Sequence, residues 1–209
     1  MTIDRTAAAL ARSNVNGQMS NVAMPLDLTL FRFLNSLAGA SKLLDFIVVF
    51  FATYAPYLVA LTIGAMVLCE RDWRKRAYDV AVVALSLLFA RGLVTEIIRF
   101  FYNRPRPFVA LTDVVTLIAK NPAEPAFPSG HATFFFAFVA AYYLLGKHRG
   151  WGHVLLATTI LMAIARVIAG VHYPLDVLFG AAIGVGSAYA AKAMLPRPRS
   201  AVPETGQSQ

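Results

Sequence analysis

The sequence predicts an all-α protein, a polytopic membrane bundle of about five transmembrane helices with an N-terminal amphipathic helix before them. Three observations carry that prediction. The 209 residues are 58% hydrophobic and 14% charged, with a mean hydropathy of +0.60, whereas a soluble domain is roughly half apolar and about a quarter charged. Apolar runs reach the roughly 20 residues that a bilayer crossing needs. The basic residues behind a net charge of +8 gather in short segments between those runs, the pattern that sets membrane orientation. A membrane is therefore expected as partner, and nucleic acid is disfavoured.

The elements follow in order. Residues 1–25 are a polar N-terminal segment whose first twenty residues lack the apolar stretch of a cleavable signal, so insertion is expected to rely on the transmembrane helices. In 26–37 (LDLTLFRFLNSL) apolar residues recur at near-helical spacing, interrupted by Asp27 and Arg32. That stretch is too short and too charged to span, and it reads as an interfacial amphipathic helix. Residues 45–69 contain no Lys, Arg or Glu and form the first span, with Pro56 as an expected kink. The second span, 77–101, carries Asp79, Arg91, Glu96 and Arg99, and ionisable groups at such depth usually face the interior and serve function. A loop with five prolines, 102–128, follows, long enough to suggest more than a connection. Spans at 130–146, 152–171 and 174–195 complete a single membrane-embedded domain, 26–195. The polar, Pro-rich tail 196–209 reads as disordered. The single cysteine, Cys69, excludes an internal disulfide and reads as a small core residue.

Charge also orients the chain. ERDWRKR (70–76) has four basic residues, GKHRG has Lys147 and Arg149, and the last span ends with Lys192, Arg197 and Arg199. The positive-inside rule makes these segments cytoplasmic. Five spans then put 102–128, the start of the third span and the junction of the last two spans together on the outer side. The N-terminus would also lie outside, which Arg5 and Arg12 fit poorly.

The unusual polar residues collect on that outer side: Arg99, Arg104 and Arg106; Ser129, Gly130 and His131; Arg166, His172 and Asp176. Arginines there run against the positive-inside bias, and a bound anion is the simplest reason, since a guanidinium forks onto phosphate. In FPSGHATFFF (127–136), Pro128 and Ser129 suit a helix start, Gly130 permits close approach to the backbone, and first-turn amides form an anion site. His131 stands beside it. In ARVIAGVHYPLD (165–176), Pro174 can open a helix, with His172 just before it and Asp176 just inside. A carboxylate at that spacing can accept one ring N–H and leave the other nitrogen free as a nucleophile. Taken alone, such a His and Asp would more often be a structural pair. For Asp79 and Arg91, structural pairing is favoured over catalysis. Glu96 either holds Arg99 in place or forms a surface pair, and the Phe cluster 134–138 reads as packing more than as a substrate slot.

The set R-x6-RP (Arg99 to Pro107), PSGH (Pro128 to His131) and AR-x5-H-x3-D (Ala165 to Asp176) resembles the three-part signature of the type 2 phosphatidic acid phosphatase superfamily, usually K-x6-RP, PSGH and SR-x5-H-x3-D. Arg99 stands where that family usually has Lys, and Ala165 where it has Ser. Of the two arginines in RPRP, only Arg106 has the required spacing from Arg99. The resemblance implies that His172 attacks phosphorus to give a phosphohistidine, that Asp176 orients it, and that His131 protonates the leaving oxygen. Arg99, Arg106, Ser129, Gly130 and Arg166 would hold the phosphoryl oxygens. It implies no metal and no cofactor.

Within that superfamily, the short length, the LDLTLFRFLNSLAG opening and the RPRPFVA loop start are similar to bacterial undecaprenyl-diphosphatases. The resemblance thus implies a multi-pass protein of the cytoplasmic membrane, its site facing the periplasm or exterior, acting on undecaprenyl diphosphate. Phosphatidic acid, phosphatidylglycerophosphate and lipid A phosphatases use the same motifs and stand as alternatives. A small transporter using Arg91, Glu96 and Arg99 is the alternative of another class; it leaves His131, His172 and Asp176 on one face unexplained.

Overall fold

The computed structural model describes residues 24–196, so the predicted N-terminal segment and tail lie almost wholly outside the described residues. Helix α1 (Pro25–Asn35) precedes two long spans, α2 (Lys42–Leu68) and α3 (Trp73–Phe101). A one-turn helix α4 (Pro107–Ala110) sits in the long loop, and α5 (Gly130–Leu144), α6 (Arg149–Ile168) and α7 (Pro174–Met194) follow. Among the described residues the secondary structure is all helical. Four of these helices, α2, α3, α6 and α7, are long and apolar enough to cross a membrane.

Local chemistry sets the boundaries. Ser41 caps α2 by accepting from the Leu44 N–H, and Asp72 caps α3 by accepting from Arg74, each satisfying an amide that the first turn leaves orphaned. Pro174 opens α7, and the Asp176 carboxylate reaches back to the Tyr173 N–H at 2.8 Å. Two π-helical segments interrupt the long spans, Phe50–Tyr54 in α2 and Leu88–Val94 in α3. The expected kink at Pro56 thus falls one residue inside the helix that follows a π turn, an irregularity that often accompanies functional sites.

The third expected span is the inner helix. At 15 residues and 1.5 Å per residue, α5 is only about 22 Å long, short of a hydrocarbon core of about 30 Å. Its Ala137, Val139, Ala141 and Tyr142 are fully buried, wrapped by α3, α6 and α7. The tightest contact is with α7. A Cβ built on Gly184 would lie 2.5 Å from the Thr133 carbonyl oxygen, and one on Gly180 would lie 2.8 Å from that of Ser129. This is a small-xxx-small seam that lets two backbones touch.

Helix α1 is amphipathic, but its polarity is partly reversed from the interfacial expectation. Asp27, Phe31 and Asn35, one turn apart, face inward, while Leu26, Leu30 and Phe33 are exposed. Asn35 donates to the carbonyls of Val115 and Ile168, both at 2.8 Å, and accepts from the Val115 N–H. It ties the long loop to the end of α6. There Gly170 takes a φ of +77°, and a Cβ would collide with the Val115 carbonyl at 2.6 Å. At the opposite end of the bundle Lys147 pairs with Asp79 at 2.6 Å and Glu70 at 3.0 Å. Asp79 and Arg91 therefore do not pair as expected: Arg91 bonds Glu96 on its own helix. Cys69, read as a core residue, is exposed at the end of α2.

Candidate active site

The end of α3, the long loop, the start of α5 and the α6–α7 junction meet around a cavity of about 230 Å³. Its wall includes Arg99, Arg106, Arg166, Gly130, His131 and His172. Six of the eight predicted site residues thus share one space, although they are spread over 74 positions of chain. Ser129 and Asp176 lie behind the wall.

His172 is 1% exposed. Its Nδ1 lies 3.0 Å from the Ala126 carbonyl oxygen, and its Nε2 lies 3.4 Å from Arg106 Nη1. A carbonyl only accepts and a guanidinium only donates. The proton therefore sits on Nδ1, and the lone pair of Nε2 faces the cavity side where Arg106 stands. Burial, then the positive charges of Arg166 and Arg106, hold this ring well below its ordinary pKa of 6.5, because a second charge there would be both desolvated and repelled.

Asp176 was expected to orient the ring. Its Oδ2 is 3.7 Å from Nδ1, beyond a hydrogen bond, and the Ala126 carbonyl occupies that role. The carboxylate is engaged elsewhere. Arg104 donates to Asp176 Oδ1 and to Asp27 Oδ2, each at 2.6 Å, and lies 4.0 Å above the Tyr173 ring. Asp27 Oδ1 in turn accepts from the Leu175 N–H. Although burial opposes its charge, the carboxylates of Asp176 and Asp27 hold Arg104 above its ordinary pKa. The arginine set aside by motif spacing is thus a buried strut between α1 and the start of α7.

The arginines of the wall are held mainly by carbonyls. Arg99 donates to Pro128, Arg166 to Ala52 at 3.1 Å, and Arg106 to Val171 and Glu124. Pro56 has no N–H to offer the Ala52 carbonyl four residues earlier, which suits that carbonyl as an anchor. Arg99 Nε, Arg166 Nε and Ser129 Oγ are buried without a partner among the described residues. Such groups cost free energy unless something accepts from them. A phosphoryl group is matched to that demand. The Ser129 N–H is already used, donating to the Asp176 carbonyl at 2.9 Å. Gly130 makes room for guanidinium as well as ligand: a Cβ there would sit 2.9 Å from Arg91 Nε and 3.4 Å from Arg99 Nη2.

The wall also holds residues that sequence reasoning did not assign. Arg91 and Lys120 bring further positive charge, and exposed Glu124 bonds Arg106 at 3.1 Å. Burial, then Arg166 and Arg106, lower the Lys120 pKa below its ordinary value. Of the two readings of Glu96, holding Arg99 or forming a surface pair, the second is found, with Arg91 as the partner. Phe134 and Phe135 line the cavity, whereas Phe138 packs in the core. The surplus of cations over one carboxylate is available to stabilise charge spreading over phosphoryl oxygens.

A family model described as the PAP2 superfamily matches residues 80–200. The chain belongs to the PAP2 superfamily. It is 33% identical over 163 residues to the bacitracin transport permease protein BcrC of Bacillus licheniformis, covering 78% of this chain and 77% of that protein. It is also 33% identical over 150 residues to undecaprenyl-diphosphatase BcrC of Bacillus subtilis, covering 71% and 74%. The crystal structure of Aquifex aeolicus LpxE superposes with a TM-score of 0.65 at 28% identity, over 82% of this chain and 98% of that one. As a member of this superfamily the chain is a multi-pass membrane phosphatase, as the motifs implied.

Proposed function

We propose that residues 26–195 act as one membrane-embedded domain that hydrolyses undecaprenyl diphosphate to undecaprenyl phosphate. The observation that carries this reading is the unprotonated Nε2 of His172, turned toward Arg106 in a cavity whose buried arginines retain unpartnered donors. Similarity to an undecaprenyl-diphosphatase over most of both chains favours the diphosphate over other lipid phosphates. In the first step His172 Nε2 attacks the terminal phosphorus, the N–P bond forms and the bond to the bridging oxygen breaks. His131 gives its proton to that oxygen. The charge left on the His172 ring is stabilised by the Nδ1–H bond to Ala126 and by nearby Asp176. Arg99, Arg106 and Arg166 hold the three phosphoryl oxygens, so positioning and electrostatics supply the catalysis. Water then attacks the phosphohistidine, His131 takes its proton, and phosphate leaves.

The basic segments at 70–76 and 147–149 lie at the bundle end away from the cavity. We therefore put the active site at the outer face of the cytoplasmic membrane. A cysteine at Asn121 in a Cys69→Ala background should then react with an impermeant maleimide in intact cells, and one at Asp72 should not. The decisive assay is phosphate release from undecaprenyl diphosphate by detergent-solubilised protein in EDTA. Turnover should persist, and vanadate should inhibit as a transition-state mimic. His172→Ala should abolish turnover and phosphoenzyme together. His131→Ala should lose about 100- to 10,000-fold on a lipid phosphate, and much less on nitrophenyl phosphate, whose leaving group needs no proton. Absence of phosphate release, or activity retained by His172→Ala, would overturn the proposal. A transporter would bind the lipid without releasing phosphate.

A further inference from the structure

A second cavity, of about 520 Å³, opens beside the first and shares Lys120, His131, Phe134, Phe135 and Arg166 with it. Its remaining wall is mainly apolar, formed by the π-helical turn and following residues of α2 (Ala52, Pro56, Tyr57, Ala60) and by Ile118 of the long loop. Tyr57 is 72% exposed on the outer surface of α2, so the groove runs from the site toward the face that meets lipid. His131 and Lys120 stand where the two cavities join. Among the described residues the Lys120 ammonium makes no ion pair and no hydrogen bond, although it is half-buried. A desolvated cation of that kind calls for an anion.

We infer that this junction is a leaving-group subsite, in which Lys120 holds the phosphate attached to the prenyl chain and the α2 groove takes the first isoprene units. The inference rests on the function proposed above and adds to it a residue that selects diphosphates. The geometry orders the substrate along the two cavities. The terminal phosphoryl group lies among Arg99, Arg106, Arg166 and His172, the bridging oxygen lies at His131, and the second phosphate lies against Lys120. When the terminal phosphorus–oxygen bond breaks, His131 protonates the bridging oxygen. The departing prenyl monophosphate then keeps its remaining charge beside Lys120. A prenyl monophosphate has only the phosphate that reacts, and it places carbon where Lys120 offers charge. Lowering of the Lys120 pKa by burial, then by Arg166 and Arg106, fits a group that is stabilised when a phosphate enters beside it.

The test compares farnesyl diphosphate with farnesyl phosphate, using kcat/KM for the wild type, Lys120→Met and Lys120→Arg. Lys120→Met should lower the diphosphate-to-monophosphate ratio of kcat/KM by about 10- to 100-fold, the worth of a hydrogen bond to a charged group. Lys120→Arg should restore most of that ratio. An unchanged ratio in Lys120→Met, with both substrates still turned over, overturns the subsite while leaving the phosphatase assignment intact. If the wild type turns over neither prenyl substrate, the underlying function fails instead. For the groove, Ala60→Phe should penalise farnesyl diphosphate more than nitrophenyl phosphate, which has no chain to place. Equal penalties would show that the chain does not run along α2.

Discussion

The seam between α5 and α7 permits a prediction whose magnitude comes directly from the backbone. A methyl group on Gly184 would sit 2.5 Å from the Thr133 carbonyl oxygen and 2.7 Å from the Ala137 nitrogen. Both neighbours are main-chain atoms of α5 and cannot swing aside. To pass from 2.5 Å to the 3.4 Å of ordinary contact, the helices must part by about 0.9 Å. Gly186, on the same helix, has nothing within 4 Å of its virtual Cβ and serves as the control. Both alanine substitutions gain about 1 kcal/mol of helix propensity, so their difference isolates packing. Overpacking typically costs about 1–3 kcal/mol, and a domain of this size loses about 2–4 °C in Tm per kcal/mol. Gly184→Ala should therefore melt several degrees below Gly186→Ala in detergent micelles. Activity should fall further than stability. Helix α5 carries Gly130 and His131, whereas α7 carries Asp176 and begins two residues after His172, and a shift of about 1 Å in a reacting geometry can cost about 100-fold. Equal Tm and equal turnover for the two variants would refute the close approach of α5 and α7.

The Arg104 strut predicts an order of stabilities. Arg104→Ala strands two buried carboxylates and should cost about 3–5 kcal/mol, whereas Asp27→Asn keeps an acceptor for the Leu175 N–H and leaves the Arg104–Asp176 pair intact, so it should cost less. Equal thermal shifts for the two would show that Arg104 does not bridge them. Acid sensitivity follows from His172. Its folded pKa lies well below 6.5, so below pH 6.5 the unfolded chain takes up a proton that the folded chain refuses, and stability is lost as pH falls. At pH 5 the loss can reach at most about 2 kcal/mol, the ceiling set by the unfolded histidine. His172→Gln, which cannot charge, should lack that loss in thermal denaturation compared at pH 7 and pH 5, and an identical loss in both proteins would contradict a neutral, buried His172.

Much of the site was legible because its chemistry is concentrated in short, ordered motifs. PSGH and H-x3-D announce residue types rare inside apolar segments, and the positive-inside rule alone gathers Arg99, Arg106, His131, Arg166 and His172 at one end of the bundle. Spacing could also have flagged the Gly180–Gly184 seam as a close approach between helices. It could not name the partner helix. Lys120 carried no signal, since one lysine in a proline-rich loop reads as solvated until the fold brings it against His131 and Arg166.

By itself the sequence determined the helical class, the number and order of the apolar segments, and which histidines and arginines gather at one end of the bundle, because hydropathy and motif spacing are one-dimensional properties. Only the tertiary structure decided which acceptor holds the His172 ring. A carboxylate four residues away is the natural partner on paper, but Arg104 and the Tyr173 N–H claim Asp176, and the Ala126 carbonyl, 46 positions upstream, lies closer. Only the fold could reveal that Asp27 and Asn35 point inward from α1. In a membrane the apolar face of a short helix can turn outward to lipid, and its polar side chains then find their hydrogen bonds inside the protein, where groups distant in sequence must satisfy one another.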